Sequence, residues 1–240
     1  MSQQSKELSI WQHLDELRKR LLFSIISLVV GVLISTFFTN FLLQLVAEPI
    51  GGLENLLSLQ VAENLSVYFR VSLLSGFIIS LPFIIIQLYF FISPGLLKNE
   101  RRWLIATVPV GTLLFLAGAA FGYLVMLPTA IPFLVEFPGP NVLPKWKDYV
   151  NFVTSILFWI GLSFEAPLLM FILARLGIIN TKLLITHWQY ALVIIAVIAA
   201  VVTPTPDPIN MAILMTPLIA LYILGILFTA IAQKQRNKKE

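Results

Sequence analysis

The chain has no cysteine among its 240 residues. Disulfide staples, thiolate nucleophiles and cysteine-ligated metal sites are therefore excluded. Histidine is almost as scarce. His13 and His187 are too few and too far apart to suggest a metal cluster. No Gly-x-x-x-x-Gly-Lys-Ser/Thr run occurs, so a phosphate-cradling nucleotide loop is not expected, and neither is any cofactor. Charge is the third scarcity. Charged side chains are 12% of the residues, about half the share of an ordinary soluble domain. The 58% that are hydrophobic come in long blocks, not in the 3.6 or 2.0 periods of half-exposed elements. This pattern predicts an all-α polytopic membrane protein, one integral membrane domain over residues 1–240.

Six spans are predicted, near residues 21–46, 66–92, 103–127, 150–176, 188–202 and 211–232. Ahead of them, Met1–Arg20 is polar, with Ile10, Leu14 and Leu17 on one helical face beside Trp11. Such a segment is expected to lie along the membrane surface. Its charges are mixed and the apolar block that follows is too long for a signal-peptide core, so the first span is expected to stay as an anchor. Loops are expected over 47–64, 93–102, 128–149, 177–187 and 203–210, the third holding a short interfacial helix at 131–137. The fifth span rises only ~22 Å against a hydrocarbon core of ~30 Å. Six spans place both termini on one side. Of the 16 Lys and Arg, only Arg70, Lys145 and Lys147 then fall on the other. The positive-inside rule makes the basic side cytoplasmic. The net charge of +4 follows from these loops and implies no nucleic-acid partner.

Four stretches carry what chemistry there is. The first is His13-Leu14-Asp15-Glu16-Leu17-Arg18-Lys19-Arg20. Its basic residues hold topology and bind anionic headgroups. Glu16 has no such role, but it suits a bidentate bond with a partner's guanidinium. The second is Phe91 with the loop Ser93-Pro94-Gly95-Leu96-Leu97-Lys98-Asn99-Glu100-Arg101-Arg102. Glu100 is either satisfied by Arg101 or Arg102, or it forms with Glu16 a receptor for two arginines.

The third stretch is Ser163-Phe164-Glu165-Ala166-Pro167. Pro167 cannot donate to the carbonyl of Ser163, so a kink with a freed acceptor is expected. A carboxylate at this depth costs roughly 2.5 kcal/mol or more. Glu165 is therefore either polar glue between helices or a partly hydrated notch facing a cavity or partner helix. The fourth is Thr203-Pro204-Thr205-Pro206-Asp207-Pro208-Ile209-Asn210. It reads as a stiff turn in which Asp207 can cap the next helix, drawn deep by the short fifth span. A proton-coupled secondary transporter titrating Glu165 is an alternative function, although repeated halves and paired broken helices are not evident. An intramembrane protease would need a Ser–His pair, a His-Glu-x-x-His motif or two intramembrane aspartates.

Together with Glu48-Pro49, these stretches resemble, in order and over nearly the whole chain, the TatC family, the multispan core subunit of the twin-arginine protein translocase. The resemblance implies a cupped six-helix bundle that is a receptor and not an enzyme. It implies binding of twin-arginine signal peptides of folded proteins, exported at the expense of the proton-motive force. It further implies TatA-like and TatB-like single-span partners and self-association within the complex. The location implied is the inner membrane of a prokaryote or the thylakoid membrane. By the same resemblance Glu16 and Glu100 receive the signal arginines, with Arg18, Arg20 and Phe91 in the same binding region. Pro49 and Asp207, and Phe91 again, correspond to positions tied to translocation. Glu165 corresponds to the intramembrane glutamate that a partner helix approaches. The chain departs from the pattern in Asp15, an extra acid beside Glu16, and in a turn one residue longer than Thr-Pro-Pro-Asp.

Overall fold

In lipid the backbone has no partner but itself, so long apolar runs become helices. The computed structural model describes residues 10–92, 98–135, 143–203 and 208–237, without the side chains of 98–106 and of a few other segment ends. Among the described residues there is no strand, only an isolated bridge between Leu57 and Lys145. The helices are α1 (Ile10–Thr36), α2 (Thr39–Ala47), α3 (Val61–Ile92), α4 (Lys98–Phe121), α5 (Leu127–Val135), α6 (Trp146–Phe164), α7 (Ala166–Arg175), α8 (Thr181–Thr186), α9 (Trp188–Val202) and α10 (Pro208–Asn237). Two 3₁₀ turns, Glu48–Ile50 and Leu53–Asn55, follow α2, and a π-helical turn, Gly122–Met126, joins α4 to α5. Four segments are long and apolar enough to cross a membrane, and the bent pair α1–α2 makes a fifth. The 15 residues of α9 fall short of that length.

Several boundaries differ from those expected. The predicted surface segment is not a separate element, because α1 runs unbroken from Ile10 into the span. No proline interrupts it, and the i,i+4 pair of Glu16 with Arg20 supports the helix up to the expected junction. The chain instead turns after Thr36, bending by 78° into α2. Thr36 and Thr39 return their hydroxyls to the carbonyls of Leu33 and Ser35 there, a local competition that bends helices. The Pro-rich loop begins later than expected, since the helix continues through Pro128 and Pro132 to Val135. The π turn and the Thr129 hydroxyl, which donates to the carbonyls of Val125 and Met126, accommodate the missing proline donors. The loop at 177–187 contains α8, capped by the Asn180 side chain on the amide of Leu183. The turn residues 204–207, Asp207 among them, lie outside the described residues.

α1 packs along α3, α4 and α3 along α6, and α10 against α7 and α9. The α1–α3 crossing is the closest kind available. A Cβ on Gly31 would stand 2.5 Å from the carbonyl oxygen of Gly76, and one on Gly76 would stand 2.6 Å from the backbone of Val32. Small residues let helices approach this way where lipid removes the hydrophobic drive to associate. Hydroxyls sit beside the glycines. Ser35 donates to the carbonyl of Ser72 at 2.9 Å, Thr39 and Ser72 share a 2.7 Å bond, and the Tyr68 hydroxyl reaches the carbonyl of Thr36 at 2.7 Å. Thr39→Val keeps the shape but leaves the Ser72 hydroxyl without its partner. It is expected to lower resistance to unfolding in mixed micelles by about 0.6 kcal/mol; unfolding unchanged from the parent would make the ladder incidental.

The densest core lies at one end of the bundle. Val46, Ala47, Val67, Val71, Leu127, Ile131, Tyr149 and Val150 are buried together there. Tyr149 and Tyr123 donate to the carbonyls of Val46 and Leu45, Tyr123 also to Glu48. The amides of Leu57 and Trp146 exchange bonds with Pro144 and Leu57. Elsewhere the large apolar side chains of α1 and α9 face outward, as lipid contact requires.

Candidate functional site

The opposite end, where α1 begins and α3 ends, gathers several of the sequence-predicted residues. Glu16 and Arg20 are one turn apart on α1, and Nη2 of Arg20 donates to Oε1 of Glu16 at 3.2 Å. Each side chain is about a quarter exposed, 24% and 25% respectively. Arg20 also reaches across to α3. Its Nη1 donates to Oε1 of Gln87 at 3.3 Å, and its guanidinium carbon lies 4.8 Å from the Phe90 ring centroid. A planar, weakly hydrated guanidinium is suited to such a combination of ion pair and ring stacking. One turn before Glu16, His13 stacks on Phe91 with centroids 4.6 Å apart. Arg18 and Asp15 are exposed.

This geometry revises one expectation. Glu16 does not wait with an empty carboxylate, because its own Arg20 occupies one oxygen. The second oxygen, Oε2, has no hydrogen bond among the described residues, so a fork-shaped donor can still approach it. Glu100 stands in the first turn of α4, whose start follows the end of α3 by five residues, and its side chain lies outside the described residues. Gln87 and Phe90 were not picked out in the sequence, since a glutamine and a phenylalanine inside an apolar run carry no signal until α1 is laid against α3.

Glu165 sits apart from this cluster, at the interruption between α6 and α7. The interruption expected from Pro167 is present. The amide of Glu165 closes a tight turn on Leu162 at 3.1 Å, and the helix restarts when Leu169 donates to the carbonyl of Glu165 at 2.9 Å. The Ser163 hydroxyl turns back to the carbonyl of Trp159 at 2.7 Å. The Glu165 side chain is 8% exposed. It points toward α4, where a Cβ on Gly111 would lie 3.1 Å from Oε2. Oε1 has no hydrogen-bond partner among the described residues. Gly111 thus makes room for a carboxylate of which one oxygen is left without a partner among the described residues. Pro49 lies at the far end, in the 3₁₀ turn that Gly51 closes with a left-handed φ of 89°.

The fold and these residues have counterparts in known proteins. The family model for the Sec-independent protein translocase protein (TatC) matches residues 12–217. The Sec-independent protein translocase protein TatC of Deinococcus radiodurans is 39% identical over 242 residues, covering 95% of this chain and 90% of that protein. The chloroplastic TATC protein of Pisum sativum is 35% identical over 224 residues, 92% of this chain and 63% of its own length. Among solved structures, the crystal structure of the twin-arginine translocase receptor TatC superimposes with a TM-score of 0.82 at 32% identity, covering 92% of this chain and 99% of that one. With its fold and most of its length shared in this way, the chain belongs to the TatC family, multi-pass membrane components of the twin-arginine protein translocase and not enzymes.

Proposed function

We infer that the protein is the signal-peptide receptor of its translocase, with six spans, both termini in the cytoplasm, and docking at the end where Glu16 lies. The observation that carries this reading is the half-used carboxylate of Glu16. Arg20 holds one oxygen and ties it to α3 through Gln87, while Oε2 has no hydrogen bond among the described residues. An incoming arginine matches that oxygen with a charge-assisted bond and can share its second donor with Glu100, another acid at this end. Lysine, a point charge with no fork, discriminates poorly between one carboxylate and two. The His13–Phe91 stack closes the side of the site, and Arg18 faces the headgroups around it. The solved relative described as a twin-arginine translocase receptor supports the assignment by likeness.

The apolar part of the signal then follows the bundle inward toward Glu165, where a TatA-like or TatB-like single span brings a polar side chain to the unpartnered Oε1. Pro49 and Asp207 act later, in cargo passage. The family shown is a protein translocase component, which speaks against the small-solute transporter reading.

The test is binding of a twin-arginine peptide and its Lys-Lys counterpart to the purified chain. Glu16→Gln is expected to weaken the twin-arginine peptide about tenfold. A charge-assisted bond contributes about 1.5–3 kcal/mol, and partial exposure takes the lower value. Glu16→Gln with Glu100→Gln is expected to abolish discrimination between the peptides. Undiminished, still selective binding by the double variant would overturn the reading.

A further inference from the structure

Arg70 has a place in the structure that signal recognition does not use. It lies on α3 nine residues after Val61, and its Nε donates to the Thr154 hydroxyl at 2.8 Å. Its Nη2 donates to the Ser155 hydroxyl at 2.9 Å and to the carbonyl of Asn151 at 3.4 Å. All three acceptors are neutral. Nη1 has no partner among the described residues, and the side chain is exposed. Ser155 accepts from Arg70, and its own proton has no acceptor there either. Two donors therefore converge on one point with no negative charge to meet them.

Beside this point runs a groove of about 300 Å³. Its apolar wall comes from Leu28 of α1, Leu73 and Phe77 of α3, and Phe158 and Trp159 of α6. None of the groove's other lining residues is acidic. The direction of the groove matters. Arg70 and Ser155 both lie about 14 Å along their helices from the end where Val46 and Tyr149 are buried, the capped end. Phe77 and Trp159 lie one to two turns deeper. Helices of 31 and 30 residues overhang a ~30 Å hydrocarbon core by several ångströms at each end. The donors therefore stand just inside the core boundary, within the snorkelling reach of an arginine. A ligand here needs an anion at the boundary and an apolar body running toward the midplane.

We propose that the groove beside Arg70 holds an anionic phospholipid of the leaflet at the capped end, its phosphate on Nη1 of Arg70 and the Ser155 hydroxyl, one acyl chain lying against Phe77 and Trp159. The charge supplies the affinity and the groove supplies the orientation. A carboxylate on a partner helix would have to be buried at the same depth, whereas a lipid brings its charge to this boundary without that cost.

The experiment is native mass spectrometry of the full chain, delipidated in detergent and titrated with phosphatidylglycerol, with phosphatidylcholine of the same acyl chains, or with inorganic phosphate. The parent is expected to retain phosphatidylglycerol roughly fivefold better than phosphatidylcholine, the factor one basic residue contributes toward an anionic surface, and not to retain inorganic phosphate. Arg70→Gln is expected to lose that preference and Arg70→Lys to keep most of it. Ser155→Ala is expected to weaken retention about threefold with an unchanged melting temperature, so the proposal stands or falls even if the Arg70 variants fold poorly. Equal retention of the two lipids by the parent, or selectivity undiminished in both Arg70→Gln and Ser155→Ala, overturns it and leaves Arg70 for a partner's carboxylate.

Discussion

Gly76→Leu is expected to separate α1 from α3 and leave no export-competent protein. A side chain at 76 would meet the backbone nitrogen and Cα of Val32 at 2.6 Å, and backbone cannot rotate aside. Overpacking in a core that can adjust costs about 1–3 kcal/mol. Here the only adjustment is to open the crossing, and the hydroxyl bonds of Ser35, Thr39 and Tyr68 would go with it. A loss of that size takes a large part of a stability of roughly 5–15 kcal/mol. It also dismantles the binding end, because Arg20 rides on α1 while Gln87 and Phe90 ride on α3. Thermal unfolding in detergent and an export assay both read the result. Gly76→Ala should fall between parent and leucine variant, since it adds the clashing atom alone. A leucine variant that melted like the parent would mean the crossing is wider than described.

The second large effect has opposite signs in two assays. Glu165→Leu is expected to raise the stability of the isolated chain by about 1–3 kcal/mol, because it removes a buried acceptor with no partner at Oε1. The same change is expected to reduce export at least tenfold by removing what a partner helix would meet. Glu165→Gln keeps hydrogen-bonding capacity and should export better than the leucine variant. Unfolding in detergent measured beside export separates the two effects. Parent-level export by Glu165→Leu would sink the partner role, and a fall in stability would mean the carboxylate is satisfied within the chain.

Much of the helical order was legible because lipid leaves few choices. α9 occupies the predicted residues 188–202, and Pro167 places the interruption at Glu165. The misplacements have two causes. Proline reads as an end in sequence, yet Pro128 and Pro132 are inside helix because a π turn and the Thr129 hydroxyl absorb them. The junction of surface segment and first span read as a boundary because polarity changes there, but polarity does not break a helix and α1 continues. At the candidate site, Glu16 was visible as an acid among bases. Its engagement by Arg20 was not, because the hold that fixes Arg20 comes from Gln87 and Phe90, far along the chain. Gly111 was invisible for the same reason.

The tyrosine bonds and buried side chains at the capped end have a mechanical consequence. That end is held by a buried core and by tyrosine bonds to backbone carbonyls, whereas the described contacts at the Glu16 end are side-chain contacts of Arg20 and His13 on α3. Amide protons near Val46, Tyr149 and Val150 should be the last to exchange with solvent. In the receptor role proposed above, helices that admit a peptide part at the Glu16 end and leave the other end closed.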